Sequence, residues 1–354
     1  MERRVRVLVV GLGHMGLPHA LAYHRNPGFE IVGLMSRRAR SAELPEELRT
    51  YPRFEDFGDA LEALRPDAVS INSWPDTHAD YAIRAMESGA HVFLEKPIAA
   101  TLVDAERVVA TAARLGRKML VGHILRVHPS WDRFIGIGRT LATPLVMRFN
   151  LNQQSSGEAW HWHRDLLGTV SPLVDCGVHY VDVMCQLTGA RPVRVHGVGA
   201  RLWDEGARNN YGHLHVTFDD GSVGWFEASW GPMMSETAPI VRDVVGPRGA
   251  VSMITGFRQG QASAAARADG DGVDHLRVHS AKLDHERAFV QADDILPLAD
   301  EPDLQELCDR EQALFLRAIV EDLDLSESMH AALDSLRVVL AAEESIASGT
   351  VVTL

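Results

Sequence analysis

The stretch Gly11-Leu12-Gly13-His14-Met15-Gly16, set directly behind the apolar run Val7-Leu8-Val9-Val10, constrains this chain more than any other. A β-branched-rich strand, three glycines at that spacing and then a helical pattern describe the first turn of a βαβ unit. The first glycine permits a tight turn, the second lets the backbone approach a pyrophosphate, and the third lets helix and strand pack closely. The N–H groups at the head of such a helix have no intrahelical partner and suit phosphate oxygens. Gly11, Gly13, His14, Met15 and Gly16 are therefore read as dinucleotide-binding positions. The spacing alone is a weak signal, since turns need glycine; the strand before it and the helix after it give it weight.

The first third of the chain repeats this alternation. Strands are predicted at residues 4–10, 30–36, 67–73, 91–95 and 118–123, and helices at about 14–25, 57–64, 77–88 and 102–115. Gly89 and Gly116 stand where helices commonly end. Strands separated by single helices predict an α/β Rossmann domain, a doubly wound parallel sheet, over residues 1–123. The pattern then changes. Residues 145–152, 193–200, 213–218, 221–229, 240–245 and 250–253 read as strands, with Asp219-Asp220-Gly221-Ser222 as a hairpin turn. This predicts an α+β domain over residues 124–354, built on a large, open, mostly antiparallel sheet. A helix at 172–187 interrupts it, amphipathic helices at 304–320 and 330–348 close the chain, and the small-residue stretch 261–272 reads as a loop.

A chain of 354 residues is long enough for two cores. Its formal charge of −13 argues against nucleic acid or an anionic membrane surface as partner. Apolar runs are strand-sized, well short of the ~20 residues of a membrane helix, and the N-terminal run is read as the first strand rather than a signal peptide. Cys176, Cys185 and Cys308 are too few and too scattered for a disulfide framework or a thiolate metal site. The expectation is a cytoplasmic protein acting on a small molecule, with no nucleic-acid or membrane partner.

In a dinucleotide-binding unit, an acidic residue at the end of the second strand favours the ribose hydroxyls of NAD. Here Ser36-Arg37-Arg38 stands in that place, with Arg40 close by. A hydroxyl and guanidinium groups suit a 2′-phosphate. Ser36, Arg37 and Arg38 join the cofactor set; NADP is favoured and NAD stays open.

Glu95-Lys96-Pro97 follows the strand at 91–95, at the carboxyl edge where such sheets bind ligands. A lysine there is placed to bond a substrate oxygen and stabilise charge on it. Asp175 and His179 are four apart in a helical segment and project from one face. An imidazole titrating near neutrality suits transfer of a hydroxyl proton. Upstream, Trp160-His161-Trp162-His163-Arg164 reads as a loop over the site, with Asn152, Gln153 and Gln154 as further donors. His161, His163, Asp175 and His179 have the residue types of a metal site, but His179 is needed for the proton and no cysteine joins, so no metal is expected.

The series Gly11–Gly16, Ser73-Trp74-Pro75-Asp76-Thr77-His78, Glu95-Lys96-Pro97, Arg126-x-His128-Pro129 and Asp175-Cys176-Gly177-Val178-His179-Tyr180-Val181-Asp182 resembles the Gfo/Idh/MocA family of oxidoreductases. The resemblance runs essentially end to end and includes the final Ala347-Ser348-Gly349-Thr350-Val351-Val352. It implies an NAD(P)-dependent dehydrogenase or reductase acting on CH–OH groups. Such an enzyme transfers hydride between nicotinamide and a secondary alcohol or ketone of a sugar, inositol or related polyol. By motif position Lys96 matches the catalytic lysine, and Asp175 and His179 match the substrate-binding and proton-transfer pair. Ser73, Trp74, Pro75, His78, Glu95 and Lys96 complete the cofactor set. Lys96, Arg126, Trp160, His161, His163, Asp175 and His179 form the substrate set. The resemblance also implies a homodimer or homotetramer built through the second-domain sheet. Two other outcomes stay open within it: a glycosidase working by transient oxidation, and a non-catalytic NAD(P)-binding sensor. The chain departs from the family at Thr169-Val170-Ser171-Pro172, where a glycine-rich stretch is usual.

Overall fold

In the computed structural model, which describes residues 3–37, 43–204, 208–235, 240–255, 273–298 and 301–354, the apolar runs of the first third form a six-stranded sheet. Its strands are β1 (Val5–Val10), β2 (Phe29–Met35), β3 (Arg53–Phe54), β4 (Ala68–Ile71), β5 (His91–Glu95) and β6 (Met119–Gly122), in the order β3-β2-β1-β4-β5-β6. Every pairing is parallel. Val7, Leu8 and Val9, then Val92, Phe93 and Leu94, are buried without alternation, as strands covered on both faces must be. Helices α1 (Gly16–Arg25), α2 (Phe57–Leu64), α3 (Pro75–Glu87) and α4 (Leu102–Leu115) supply the crossovers. Thr101 caps α4 by accepting the Asp104 N–H, and left-handed Gly116 closes it. The strand order reverses between β1 and β4, so the ligand crevice of such a sheet lies at their carboxyl ends.

The chain divides into two compact units: Met1–Val127 joined by Pro302–Leu333, and His128–Glu301 joined by Asp334–Leu354. The sequence reading gave all of 124–354 to the second. Residues 302–333 return to the first because α8 (Leu304–Val320) fills its core. Phe315 is fully buried there, its ring centroid 6.3 Å from that of Phe29 and 6.2 Å from that of Phe93. Helical periodicity shows that a helix has an apolar face but not which core receives it.

The second unit contains α5 (Pro129–Arg139), β7 (Val146–Gln154), α6 (Gly157–Leu166), α7 (Pro172–Thr188), β8 (Pro192–Ala200), β9 (Tyr211–Phe218), β10 (Val223–Gly231), β11 (Arg242–Gly246), β12 (Gly249–Thr255), β13 (Val273–Ser280) and β14 (Asp294–Pro297). Helix α9 (Ser326–Ser348) leads into it and β15 (Val352–Thr353) ends it. Nine strands form one sheet, ordered β14-β13-β12-β11-β7-β10-β9-β8-β15. Among the described residues of this sheet, only β7 and β10 pair in parallel. One face buries Met147, Phe149, Leu214, Val216, Phe226 and Val244, and Trp131 of α5 and Tyr180 of α7 pack on Phe149. The alternate positions Val146, Val223 and Val245 are exposed. Helices α5 and α6 and strands β13 and β14 were not anticipated, and α9 begins a turn earlier than expected. Arg38, Arg40 and residues 261–272 lie outside the described residues. Among the described residues, no helix is long and apolar enough to cross a membrane.

Candidate active site

The three glycines of the first turn are required for different reasons. Gly11 has φ +84°, and a Cβ there would stand 2.4 Å from the Asn72 carbonyl oxygen. A Cβ on Gly16 would stand 2.0 Å from the Gly11 carbonyl oxygen. Both are fixed by contacts inside the protein. A Cβ on Gly13 would meet nothing within 4 Å, and Gly13 and His14 are exposed. The space over Gly13, at the head of α1, fits a pyrophosphate approaching the backbone. Helix α1 starts at Gly16 rather than near His14 because residues 13–15 form the turn, with Leu17 N–H bonded to Gly13 O at 3.1 Å.

Asn72, which the sequence reading passed over, ties the two strands at the switch point. Its buried amide donates to the Val10 carbonyl at 3.2 Å and to Ser70 Oγ at 3.1 Å. Beyond it, the Ser73 and Thr77 hydroxyls are 2.6 Å apart, Trp74 is half-buried at the N-cap of α3, and Pro75 is buried at its first position. His78 is fully buried, with both ring nitrogens on backbone carbonyls. Pro75 and His78 thus shape this loop from within, while Ser73 and Trp74 remain partly open. At the end of β2, Ser36 is half-buried and donates its N–H to Phe54 O at 3.1 Å; Arg37 is exposed, and neither position carries a carboxylate.

Lys96 follows β5, half-buried, and its bond to Pro97 is cis. The Glu95 carboxylate beneath it is buried, accepting from His19 Nε2 at 2.9 Å and from the Lys96 N–H at 3.0 Å. Burial pushes the Glu95 carboxyl upward, but the His19 hydrogen bond and the electrostatic pull of His19, Lys96 and His78 prevail and hold it below its usual range. Arg126 is half-buried in a short 3₁₀ turn after β6.

In the second unit, Ser171 caps α7 by accepting the Val174 N–H at 3.3 Å, and Pro172 takes the first helical position. Thr169-Val170-Ser171-Pro172 is therefore a helix-start signal. Asp175 lies buried in the first turn, where the helix dipole favours a carboxylate, and half-buried His179 stands one turn on along the same face.

The tryptophan and histidine cluster is not a loop. It forms half of α6, which exposes His161 and buries His163 completely. His163 Nδ1 lies 2.8 Å from Ser155 Oγ, and its ring stacks on Trp230 with centroids 4.8 Å apart. Positions two apart on a helix do not face each other, so His161 and His163 cannot act as one ligand pair. His163 is packed inside this unit. Trp160 stays half-buried, its ring 5.6 Å from Trp203 and the Arg164 guanidinium 4.9 Å from its centroid. Asn152, Gln153 and Gln154 alternate along β7. Asn152 donates to Glu227 at 2.5 Å, Gln153 accepts from Trp230 Nε1 at 2.8 Å, and Gln154 donates to Met234 O at 2.9 Å.

Known proteins with similar sequences and folds match both halves. The description "Oxidoreductase family, NAD-binding Rossmann fold" fits residues 5–123, and "GFO/IDH/MocA C-terminal domain" fits residues 137–252. The scyllo-inositol 2-dehydrogenase (NAD(+)) of Bacillus subtilis is 28% identical over 266 residues, covering 71% of this chain and 74% of that one. UDP-N-acetylglucosamine 3-dehydrogenase of Acidithiobacillus ferrooxidans is 29% identical over 235 residues, covering 64% and 67%. A crystal structure of scyllo-inositol dehydrogenase from Lactobacillus casei, with bound NAD(H) and scyllo-inositol, shares the fold with a TM-score of 0.75 over 99% of each chain at 18% identity. With open space over Gly13 at the head of α1, a lysine at the edge of β5 and both family descriptions matched, this chain belongs to the Gfo/Idh/MocA family of NAD-binding oxidoreductases.

Proposed function

We propose that the protein oxidises a secondary hydroxyl of a sugar, an inositol or a related polyol, or reduces the corresponding ketone, with NADP preferred to NAD. The observation that carries this reading is the α7 pair: a buried carboxylate and a half-buried imidazole one turn apart, Asp175 and His179. The relatives named for inositol and sugar substrates support the substrate class. The hydroxyl and guanidinium at Ser36 and Arg37, in place of a carboxylate, support the cofactor preference.

His179 takes the hydroxyl proton as the alcohol is oxidised and returns it in the reverse direction. Asp175, on the same helix face, accepts a hydrogen bond from the ring or from a neighbouring hydroxyl. The Lys96 ammonium donates to the reacting oxygen and stabilises negative charge as its proton leaves. The nicotinamide, when bound, supplies the two-electron acceptor or donor for the carbinol carbon. The exposed face of the nine-stranded sheet, with Val146, Val223 and Val245, is proposed as the surface through which copies of the chain pair.

The test is turnover on a panel of inositols, aldoses and polyols with NADP⁺ and NAD⁺ offered separately, read as reduced-nicotinamide absorbance. Turnover of one compound class, lost in Lys96→Met with cofactor binding kept, supports the reading. Full activity in Lys96→Met removes the lysine's role. Cofactor binding with no turnover in either direction overturns the dehydrogenase assignment.

A further inference from the structure

A line of buried side chains reaches the Lys96 backbone from α8, far along the chain. Gln312 Nε2 lies 2.8 Å from His19 Nδ1, His19 Nε2 lies 2.9 Å from Glu95 Oε1, and Glu95 Oε2 accepts the Lys96 backbone N–H at 3.0 Å. Gln312 and His19 are completely buried and Glu95 is 5% exposed. The Phe93 ring holds the imidazole from the side, with centroids 4.7 Å apart.

The chemistry of the groups fixes the direction of this line. A carboxylate only accepts, so His19 Nε2 carries the proton. The Gln312 amide nitrogen, 2.8 Å from Nδ1, can only donate, so Nδ1 accepts from it. With Nε2 donating and Nδ1 accepting, no ring lone pair is left for a metal. The nearness of the His19, Cys308 and Glu311 ligand atoms, all within 4.8 Å of one another, is therefore not a metal site. Glu311 Oε2 is 4.0 Å from His19 Nε2, beyond hydrogen-bond distance.

We propose that His19 and Gln312 are positioning residues for Lys96. Their relay fixes the Glu95 carboxylate and, through it, the Lys96 peptide at the carboxyl edge of β5. The inference rests on reading Lys96 as the substrate-facing lysine, but it can be tested without substrate. The chain has only three lysines, Lys96, Lys118 and Lys282, so reductive methylation with a ¹³C label gives a lysine spectrum simple enough to assign by single Lys→Arg variants.

In Gln312→Leu the Lys96 signal is expected to move while those of Lys118 and Lys282 stay. In the unlabelled variant kcat should fall ~10-fold or more, with KM and dinucleotide affinity within a few-fold of wild type. His19→Gln offers an amide that accepts from Gln312 and donates to Glu95, and is expected to keep the Lys96 signal in place and most of kcat. Gln312→Met, closer in shape, serves if the leucine variant folds poorly. The relay is overturned if Lys96 does not move, if all three lysine signals move together, or if His19→Gln behaves like Gln312→Leu. A selective Lys96 shift in a protein that turns over no polyol would keep the relay and overturn the substrate reading instead.

Discussion

Nδ1 of His78 lies 2.7 Å from the carbonyl oxygen of Pro97, and Nε2 of the same buried ring lies 2.8 Å from the carbonyl oxygen of Ser73. One imidazole thus ties the residue after Lys96 to the loop that ends β4. A neutral imidazole has one N–H, so one of the two carbonyls accepts from it; removing the ring in His78→Leu leaves that carbonyl without its donor and should lower unfolding free energy by roughly 1–3 kcal/mol. Urea denaturation measures this. His78→Gln, which can still donate, should recover part of the loss. Wild-type stability in the leucine variant would mean that the two contacts hold nothing in place.

The same ring gives the protein a pH dependence. Burial pushes His78 below its ordinary value of 6.5, prevailing over the two carbonyls and the charges of Glu95 and Asp76, which favour the proton. Burial lowers His91 as well, helped by Arg117 and Lys118, and lowers His213, helped by His215. As pH falls below 6.5 the unfolded chain binds protons that the folded chain still refuses, so stability declines until the folded values are passed. Glu95 acts lower. Its carboxyl is held below 4.5, so its contribution is present above that value and disappears as pH falls through the folded one. Thermal scans should show Tm dropping as pH falls below 6.5, with a shallower drop in His78→Gln. A flat Tm across that window would contradict the assignment.

What could be read from sequence was local. The glycine turn, Glu95-Lys96-Pro97 and the Asp175/His179 spacing each lie within a few residues, so backbone geometry and side-chain period suffice to interpret them. The cluster at 160–164 forms a helix and not a loop, because composition shows aromatic residues but not that α6 turns His161 outward and His163 inward. Strand β13 (Val273–Ser280) escaped because its sequence, Val-Asp-His-Leu-Arg-Val-His-Ser, has charges on both faces and little apolar alternation. The Gln312–His19–Glu95 line was invisible for a different reason. Its members come from α8, α1 and β5, and only tertiary packing brings them together.

The proposed preference for NADP is tested at Arg37, which is exposed just past the end of β2. Arg37→Glu removes a guanidinium suited to a 2′-phosphate and adds a carboxylate suited to ribose hydroxyls. Affinity for NADP⁺ should fall ~10–100-fold, about 1.4–2.8 kcal/mol, while that for NAD⁺ holds or rises. Titration calorimetry with each cofactor separates the cases. An equal loss for both would mean that Arg37 does not discriminate between them.

A substitution at Gly13 should separate cofactor binding from folding. A Cβ at Gly16 would stand 2.0 Å from a backbone oxygen, so Gly16→Ala should distort the turn and destabilise the protein. A Cβ at Gly13 meets nothing within 4 Å, so Gly13→Ala should keep its unfolding free energy within ~0.5 kcal/mol of wild type. If a pyrophosphate occupies that space, the added methyl stands between it and the backbone, and dinucleotide affinity should fall ~10-fold or more in a protein that is otherwise intact. A stable Gly13→Ala that binds dinucleotide as well as wild type would move the phosphate site away from this turn. An unstable one would mean that the turn is packed more tightly than its open cradle indicates.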